Sequence, residues 1–412
     1  SDDAFRAAIK DGFGDEGVDL VSGGPPCQSF SLAGLRKKDC EKNTLPMEFA
    51  KFVDFVQPKV AVLENVTGIL RPFTEDGVAY HAWYEVSKAF VDIGYIPVCL
   101  HINAKFVGVP QNRPRFIMIA VRKDMVPSTQ QLQKSNVADF FYPGIQLLKN
   151  KARTSDPKAD HFKYFDFQNG DQDKSTKGTF LRHLFSVEQV VNVAEAIGDL
   201  NSSKASKKSA YVTSLNSTFK TNRPQSRQMQ NHESRTHNTR VQRRFSIYQA
   251  IRPLAARQKK EILSVLNGTN FSISDEVWNL LRESKFKLET DGHDKFNSKE
   301  EFVCYLQRHP SKKQTQKALD PNQPAPAALS IPDDACHYDD QQLRTLSVRE
   351  MARIQSFPDS FIFRSKVTTG GQMRRFEVPQ YTQVGNAVPP LLGYAIGEMV
   401  KSLILETLAG QS

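Results

Sequence analysis

Apolar residues recur along the first 125 positions with two alternating periods. Val18-Asp19-Leu20-Val21 ends in Ser22-Gly23-Gly24 and predicts a buried strand, whereas Met47 to Val56, apolar at 49, 52, 53 and 56, predicts a helix. Val60 to Leu63 returns to strand, Ala82 to Ile93 to helix, and Ile96 to Ile102 and Phe116 to Val121 to strand again. Short β-branched runs alternating with amphipathic stretches are the pattern of a parallel sheet covered by helices, so residues 1–125 are expected to form an α/β layer structure.

From about 126 to 330 the periodicity weakens. Ser, Asn and Gln-rich stretches such as Asn201 to Ser209, and the Pro-containing run Ser311 to Ala328, predict a second, smaller and less regular domain with a linker on its C-terminal side. Residues 331–412 turn helical. Ser347-Val348-Arg349-Glu350 has the spacing of a capping box ahead of Met351 and Ile354, with a stop at Pro358. Leu391 to Leu408 is a further helix whose apolar run is broken by Glu398 and Lys401, which predicts a place in a soluble core.

Composition narrows the class. The chain has 412 residues, 39% of them hydrophobic and 24% charged, enough for a large core and incompatible with disorder as the overall state. No uncharged apolar stretch approaches eighteen residues and no basic start leads into an apolar run, so neither a membrane span nor a secretory signal is expected. Five cysteines (27, 40, 99, 304 and 336), never in a CxxC pair, argue against a disulfide framework and a cysteine-built metal site, and point to a reducing, intracellular setting. The net charge of +10 resides in one place: between Lys220 and Lys260 lie eleven Lys or Arg and one acid, Glu233. Such a block suits phosphate neutralisation, with a solvated basic face as the alternative.

Candidate chemistry begins at Cys27. The strand ending at Val21 runs into Ser22-Gly23-Gly24-Pro25-Pro26-Cys27-Gln28-Ser29, and ligands of open parallel sheets gather beyond the carboxyl ends of strands. Glycines clear space there and the two prolines stiffen the approach to the thiol, which suits a positioned nucleophile; a turn holding an inert buried cysteine is the alternative. Val60 to Leu63 leads into Glu64-Asn65-Val66, placing a carboxyl at the end of a neighbouring strand, where one shielded from water can act as a proton donor; a helix-capping or surface acid is the alternative. Gln111-Asn112-Arg113-Pro114-Arg115 sets two arginines at i and i+2 before the strand at Phe116, on one face if the segment is extended. Asn231 to His237 contains two histidines, five apart where a helical metal pair needs four, so no metal site is expected.

In this order, PPCQS, ENV and QNRPR resemble the DNA (cytosine-5) methyltransferase family. The resemblance extends to Asn43-Thr44-Leu45-Pro46, to the helix from Ser347 to Pro358 and to Gln383-Val384-Gly385-Asn386-Ala387-Val388-Pro389-Pro390, with the basic block where that family inserts its target-recognition domain. It implies a Rossmann-like, S-adenosylmethionine-dependent α/β domain made of residues 1–125 and 331–412, with target recognition and linker in 126–330. It also implies that Cys27 adds to carbon 6 of a flipped cytosine in double-stranded DNA, that Glu64 holds N3 and the exocyclic amine, and that Arg115 binds the O2 side, with Arg113 beside it or ordering the Cys27 loop. Pro26, Leu45 and Asn386 are the implied cofactor-binding residues; Gln28, Ser29, Gln111, Arg227, Arg235, Arg240, Arg243 and Arg244 are the candidate DNA contacts. The implied biological context is a DNA modification or restriction-modification system.

One departure stands out. The family's FxGxG cofactor loop has no counterpart before PPCQ; Gly12-Phe13-Gly14-Asp15 has some of the letters but follows no strand pattern. A domain lacking its first part, or a companion polypeptide that supplies it, is the expectation, and with it weak binding of S-adenosylmethionine by this chain alone. A noncatalytic or split-enzyme DNA-binding subunit and an unrelated cysteine hydrolase are the competing readings.

Overall fold

A computed structural model of the chain describes residues 2–14, 17–26, 45–75, 77–201, 207–220, 228–288, 292–311, 316–327, 335–368 and 376–408. The candidates Cys27, Gln28, Ser29 and Arg227 lie outside these residues. The chain packs into two compact units: residues 1–107, 113–189 and 392–412 form the first, and 108–112 with 190–391 the second.

The first unit is built on a five-stranded sheet. Helix α1 (Asp2–Phe13) is followed by β1 (Leu20–Gly23), α2 (Leu45–Val56), β2 (Val60–Val66), α3 (Ala82–Asp92), β3 (Tyr95–Asn103), β4 (Pro114–Arg122), α4 (Ala138–Lys149) and β5 (Phe165–Asp166). The spatial order is β1-β2-β4-β3-β5. Strand β1 runs parallel to β2 (Leu20 beside Val60, Gly23 beside Leu63), and β3 parallel to β5. The all-parallel expectation is corrected at β4, which is antiparallel to both β2 and β3. The cause is chain length: residues 104–113 are too few for the crossover of about a dozen or more residues that a parallel return needs, so the chain reverses.

All nine residues of β3 are buried, as a near-continuous apolar run covered on both faces must be. On one face α2 and α3 bring Ala50, Val53, Tyr84, Phe90 and Trp83 onto Ala61, Leu63, Phe116 and Met118. Trp83 stacks on Phe162 at a centroid distance of 5.4 Å, and the buried Tyr95 hydroxyl donates to Pro58 O at 2.7 Å, tying β3 to the loop before β2. From Leu392 the C-terminal helix Pro390–Ser402 belongs to this unit, and Glu406 beyond it pairs with Arg182 at 2.7 Å. By length and composition alone the stretch Gln380–Thr407 is apolar enough to cross a membrane, but it carries Glu398 and Lys401 and close to half of its most apolar window is buried.

The second unit is more regular than the sequence pattern suggests. Helices α5 (Val193–Ile197) and α6 (Ala210–Thr218) precede four helices, α7 (Thr239–Ile251), α8 (Ala256–Leu266), α9 (Asp275–Leu281) and α10 (Lys299–Arg308). The last four close around Phe245, Ile262, Phe286, Phe302 and Leu306. A separate core joins α5 to α11 (Val348–Ile354) and α12 (Gln380–Asn386) through Ile197, Met351, Ile354, Tyr381 and Val384. The capping box foreseen at Ser347 and Glu350 is present. Glu350 is fully buried and accepts two bonds from Arg344, at 2.7 and 2.8 Å, which compensates the desolvated charge.

Candidate active site

The carboxyl ends of β1 and β2 lie side by side, and their sequences dictate what can follow. A Cβ on Gly23 would lie 2.6 Å from the Phe49 ring, so the missing side chain lets α2 close onto β1. A Cβ on Gly24 would meet Glu64 Oε2 at 3.3 Å. The strand therefore leaves the sheet directly over the Glu64 carboxyl. Asn65, buried, donates from Nδ2 to Pro25 O at 3.0 Å and accepts from Val66 N at Oδ1, 2.9 Å. The chain so held continues through Pro26, which is exposed, toward Cys27.

Of the two arginines, Arg115 meets the carboxyl. Glu64 faces Ile117 across β2 and β4 and shares its face with Val66 and Arg115. Arg115 Nε donates to Glu64 Oε1 at 2.8 Å with side-chain exposures of 11% and 18%, so the pair is largely shielded from water. Arg115 Nη1 also donates to Pro114 O at 2.8 Å, which fixes the guanidinium plane. Burial lowers the Arg115 pKa and Glu64 opposes this. Arg113 precedes the strand and is buried; burial, reinforced by the like charge of Arg115 and opposed by Glu64, holds it down to about 9. It still carries its proton at neutral pH. Glu64 and Arg115 thus form a paired carboxylate and guanidinium in a water-poor setting, with the charge of Arg113 near enough to be felt by both.

Three polar side chains that sequence inspection left without a role hold this arrangement. Asn103, buried at the end of β3, accepts from Arg113 N at 3.0 Å and donates to Gln168 O at 3.3 Å. Thr67 Oγ1 donates to Pro114 O at 3.1 Å. Asn65 pins the loop leading to the thiol. Their common signal is an Asn or Thr at the carboxyl end of a predicted strand, where the backbone ladder stops and side chains take over its bonds.

Of the cofactor candidates, Pro26 and Leu45 belong to the first unit and Asn386 to the second. Leu45, half-buried, opens α2 one turn before Phe49, so it lies on the helix face that meets β1, toward the strand's carboxyl end where Pro26 is exposed. Asn386 is the exposed last residue of α12 in the second unit.

The candidate DNA contacts differ in placement. Gln111 is fully buried, in a two-residue pairing in which it lies beside Ala325. Arg240 is exposed in the first turn of α7. Arg235, Arg243 and Arg244 are half-buried; Arg243 Nε donates to Leu288 O at 3.2 Å and Arg244 Nη1 to Pro310 O at 3.3 Å. His232 bonds Ser347 Oγ at 2.8 Å and Leu200 O at 3.1 Å, and His237 lies 3.2 Å from Thr345 Oγ1.

The sequence profile of the C-5 cytosine-specific DNA methylase family matches residues 3–402. Among similar proteins, the type II methyltransferase M.DdeI of Desulfomicrobium norvegicum is 27% identical over 389 residues, covering 93% of this chain and 72% of that protein. M1.HphI of Haemophilus parahaemolyticus is 28% identical over 386 residues, covering 93% and 68%. A solved structure from E. coli, described as a prophage-encoded DNA modification methyltransferase, superposes with a TM-score of 0.51 at 19% identity over 97% of this chain and 83% of that one, a likeness of fold.

Proposed function

Because the chain belongs to the C-5 cytosine-specific DNA methylase family, we propose that it methylates carbon 5 of a cytosine flipped out of double-stranded DNA, with Cys27 as nucleophile and S-adenosylmethionine as methyl donor. The observation that carries this reading is the Glu64–Arg115 pair, at 2.8 Å, beneath Gly24 on the path to the thiol.

Each residue has a task that its position suits. Carbon 5 of cytosine is a weak nucleophile, and the Cys27 thiolate activates it by forming a bond to carbon 6 while the electrons of the 5,6 double bond move into the ring. Glu64, with Oε1 held by Arg115, turns Oε2 toward the thiol loop. There it accepts from the exocyclic amine and, when protonated, donates to N3 as negative charge develops. Arg115 and Arg113 donate to the O2 edge. Bound S-adenosylmethionine supplies an electrophilic methyl group to the activated carbon. Loss of the carbon-5 proton then restores the double bond and breaks the carbon–sulfur bond, returning the thiolate. A stacked base cannot reach this site, so flipping costs a few kcal/mol, which contacts to the DNA backbone offset.

Pro26 and Leu45 take the adenine, and Asn386 is the third cofactor candidate. Gln28, Ser29 and the arginines 227, 235, 240, 243 and 244 are the proposed DNA contacts, with Arg240 the most accessible of those described, whereas the burial of Gln111 removes it from that set. The relatives are type II methyltransferases, so the proposed setting is DNA modification inside the cell.

The test is trapping. DNA containing 5-fluorocytosine, which has no proton to lose at carbon 5, is expected to leave a covalent complex with the wild-type protein when cofactor and a segment carrying the FxGxG loop are supplied, and none with Cys27→Ser. Bisulfite sequencing of DNA from cells expressing the gene gives the target. Equal methylation by Cys27→Ser overturns the proposal.

A further inference from the structure

We propose that Phe271 is a further DNA contact, its ring offered to the face of a nucleobase from the second unit. The proposal rests on DNA being the substrate. Phe271 stands in the turn between α8 and α9 and is 75% exposed, whereas Ile273, two residues on, is buried and anchors the same segment in the helical core. The fold therefore does not need the ring. Single exposed apolar side chains are common on protein surfaces and carry no meaning alone. What sets Phe271 apart is how firmly the turn holds it out.

Helix α8 is closed by Gly268, which takes φ +78° and donates to Val265 O at 3.1 Å, so the chain reverses sharply there. Thr269 N and Asn270 N both donate to Ser264 O, at 2.9 and 3.0 Å, and Thr269 Oγ1 donates to Asn267 Oδ1 at 2.6 Å. Phe271 is then bonded on both sides: its N donates to Asn270 Oδ1 at 2.8 Å, and its O accepts from Gln307 Nε2 at 3.4 Å. Ser274 N closes the segment on Glu261 Oε2 at 3.0 Å. With the backbone held at so many points, little conformational entropy opposes stacking of the ring on a partner.

Positive charge borders the turn. Arg308, exposed, follows Gln307 at the end of α10. Ser311 N donates to Leu266 O at 2.8 Å and Arg244 Nη1 to Pro310 O at 3.3 Å, which brings the α7 face shared by Arg240 and Arg244 toward the same place. The neighbouring acids are engaged: Glu261 by Ser274 N, Asp275 by Lys299 and Glu276 by Gln258. An aromatic ring among guanidinium groups favours DNA, because the cations hold phosphates and a flat ring stacks on any base.

The test uses the full chain and a fluorescein-labelled duplex with one mismatched cytosine, where unstacking a base costs least. Phe271→Ala, folded by circular dichroism, is expected to lower affinity about tenfold with an unchanged slope of log affinity against log salt, because the ring carries no charge. Arg308→Ala is expected to reduce that slope by about 1. Phe271→Trp is expected to keep the affinity, and its added indole to be quenched by DNA beyond any change in the wild-type emission of Trp83 and Trp278. Wild-type affinity in Phe271→Ala, or no added quenching in Phe271→Trp, overturns the inference. So does self-association of the wild-type chain that Phe271→Ala abolishes in sedimentation, which assigns the ring to a second copy. A wild-type chain that does not bind the duplex overturns the DNA reading itself, and this inference with it.

Discussion

Glu64 and Gly24 face each other where β1 leaves the sheet, with Oε2 3.3 Å from the position a Cβ would take, while Oε1 is bound to Arg115 at 2.8 Å. One carboxylate oxygen is thus committed to structure and the other turned toward Gly24. Glu64→Gln retains an acceptor for Arg115 but loses the proton that would reach N3, and its kcat for exchange of tritium from carbon 5 of cytosine into water is expected to fall about 10²–10³-fold. Arg115→Ala leaves the carboxylate without its partner in a water-poor site, and is expected to lose about 3 kcal/mol of stability by urea unfolding as well as activity. Exchange by Glu64→Gln at the wild-type rate removes the carboxyl from the chemistry.

The two adjacent glycines separate folding from function. An alanine at Gly23 overlaps the Phe49 ring at 2.6 Å, so α2 must shift, at a cost of about 1–3 kcal/mol. An alanine at Gly24 presses on Glu64 Oε2 and touches little else. Gly23→Ala is therefore expected to lower the urea midpoint, whereas Gly24→Ala keeps the midpoint and loses tritium exchange by roughly tenfold, about 1.4 kcal/mol in the barrier. Unchanged exchange by Gly24→Ala contradicts the carboxyl's facing the reacting base.

Much of this was legible in the amino-acid order, and the exceptions have physical causes. The strands at Val60 and Ile96 announce themselves because they are buried on both faces, Glu64 because it follows one apolar strand run and Arg115 because it directly precedes another. The reversal at β4 is a matter of connection length, which hydrophobic period does not encode. The core formed by α7 to α10 was hidden because Phe286, Phe296 and Phe302 come from short, separate elements that complete a cluster only when brought together. Asn65 stood inside a recognised motif without a role, since its bond to Pro25 joins positions far apart in sequence.

Positive charge in the second unit divides by what the guanidinium already does. Arg244 donates to Pro310 O, so Arg244→Ala is expected to lower stability by about 1 kcal/mol. Arg240 is exposed, and Arg240→Ala is expected to weaken DNA binding about equally for all sequences and to reduce the slope of log affinity against log salt by about 1. Fluorescence anisotropy at several salt concentrations reads this. An unchanged slope places Arg240 off the DNA path.

Acid sensitivity is expected to begin at His337. The ring is fully buried; Nδ1 accepts from Asp339 N at 3.1 Å and Nε2 lies 3.7 Å from Glu350 Oε1. Burial pushes its pKa down from 6.5 to about 4, with Glu350 opposing and Arg344 assisting. The folded value is the lower one, so below pH 6.5 the unfolded chain binds a proton that the folded chain refuses. The stabilisation is complete above pH 6.5 and is lost as pH falls through about 4, on the order of 3 kcal/mol in all. Asp359 acts in a more acidic window: burial would raise its carboxyl, but Arg353, whose Nε is 2.7 Å away, holds it down from 3.8 to about 2, so its contribution is present above pH 3.8 and disappears toward pH 2. His337→Asn, whose Oδ1 offers Asp339 N an acceptor, is expected to flatten the decline between pH 6.5 and 4 in urea titrations and to leave the steeper fall below pH 4 in place. Parallel curves for the variant and the wild-type protein across pH 6.5 to 4 would assign the early loss to another group.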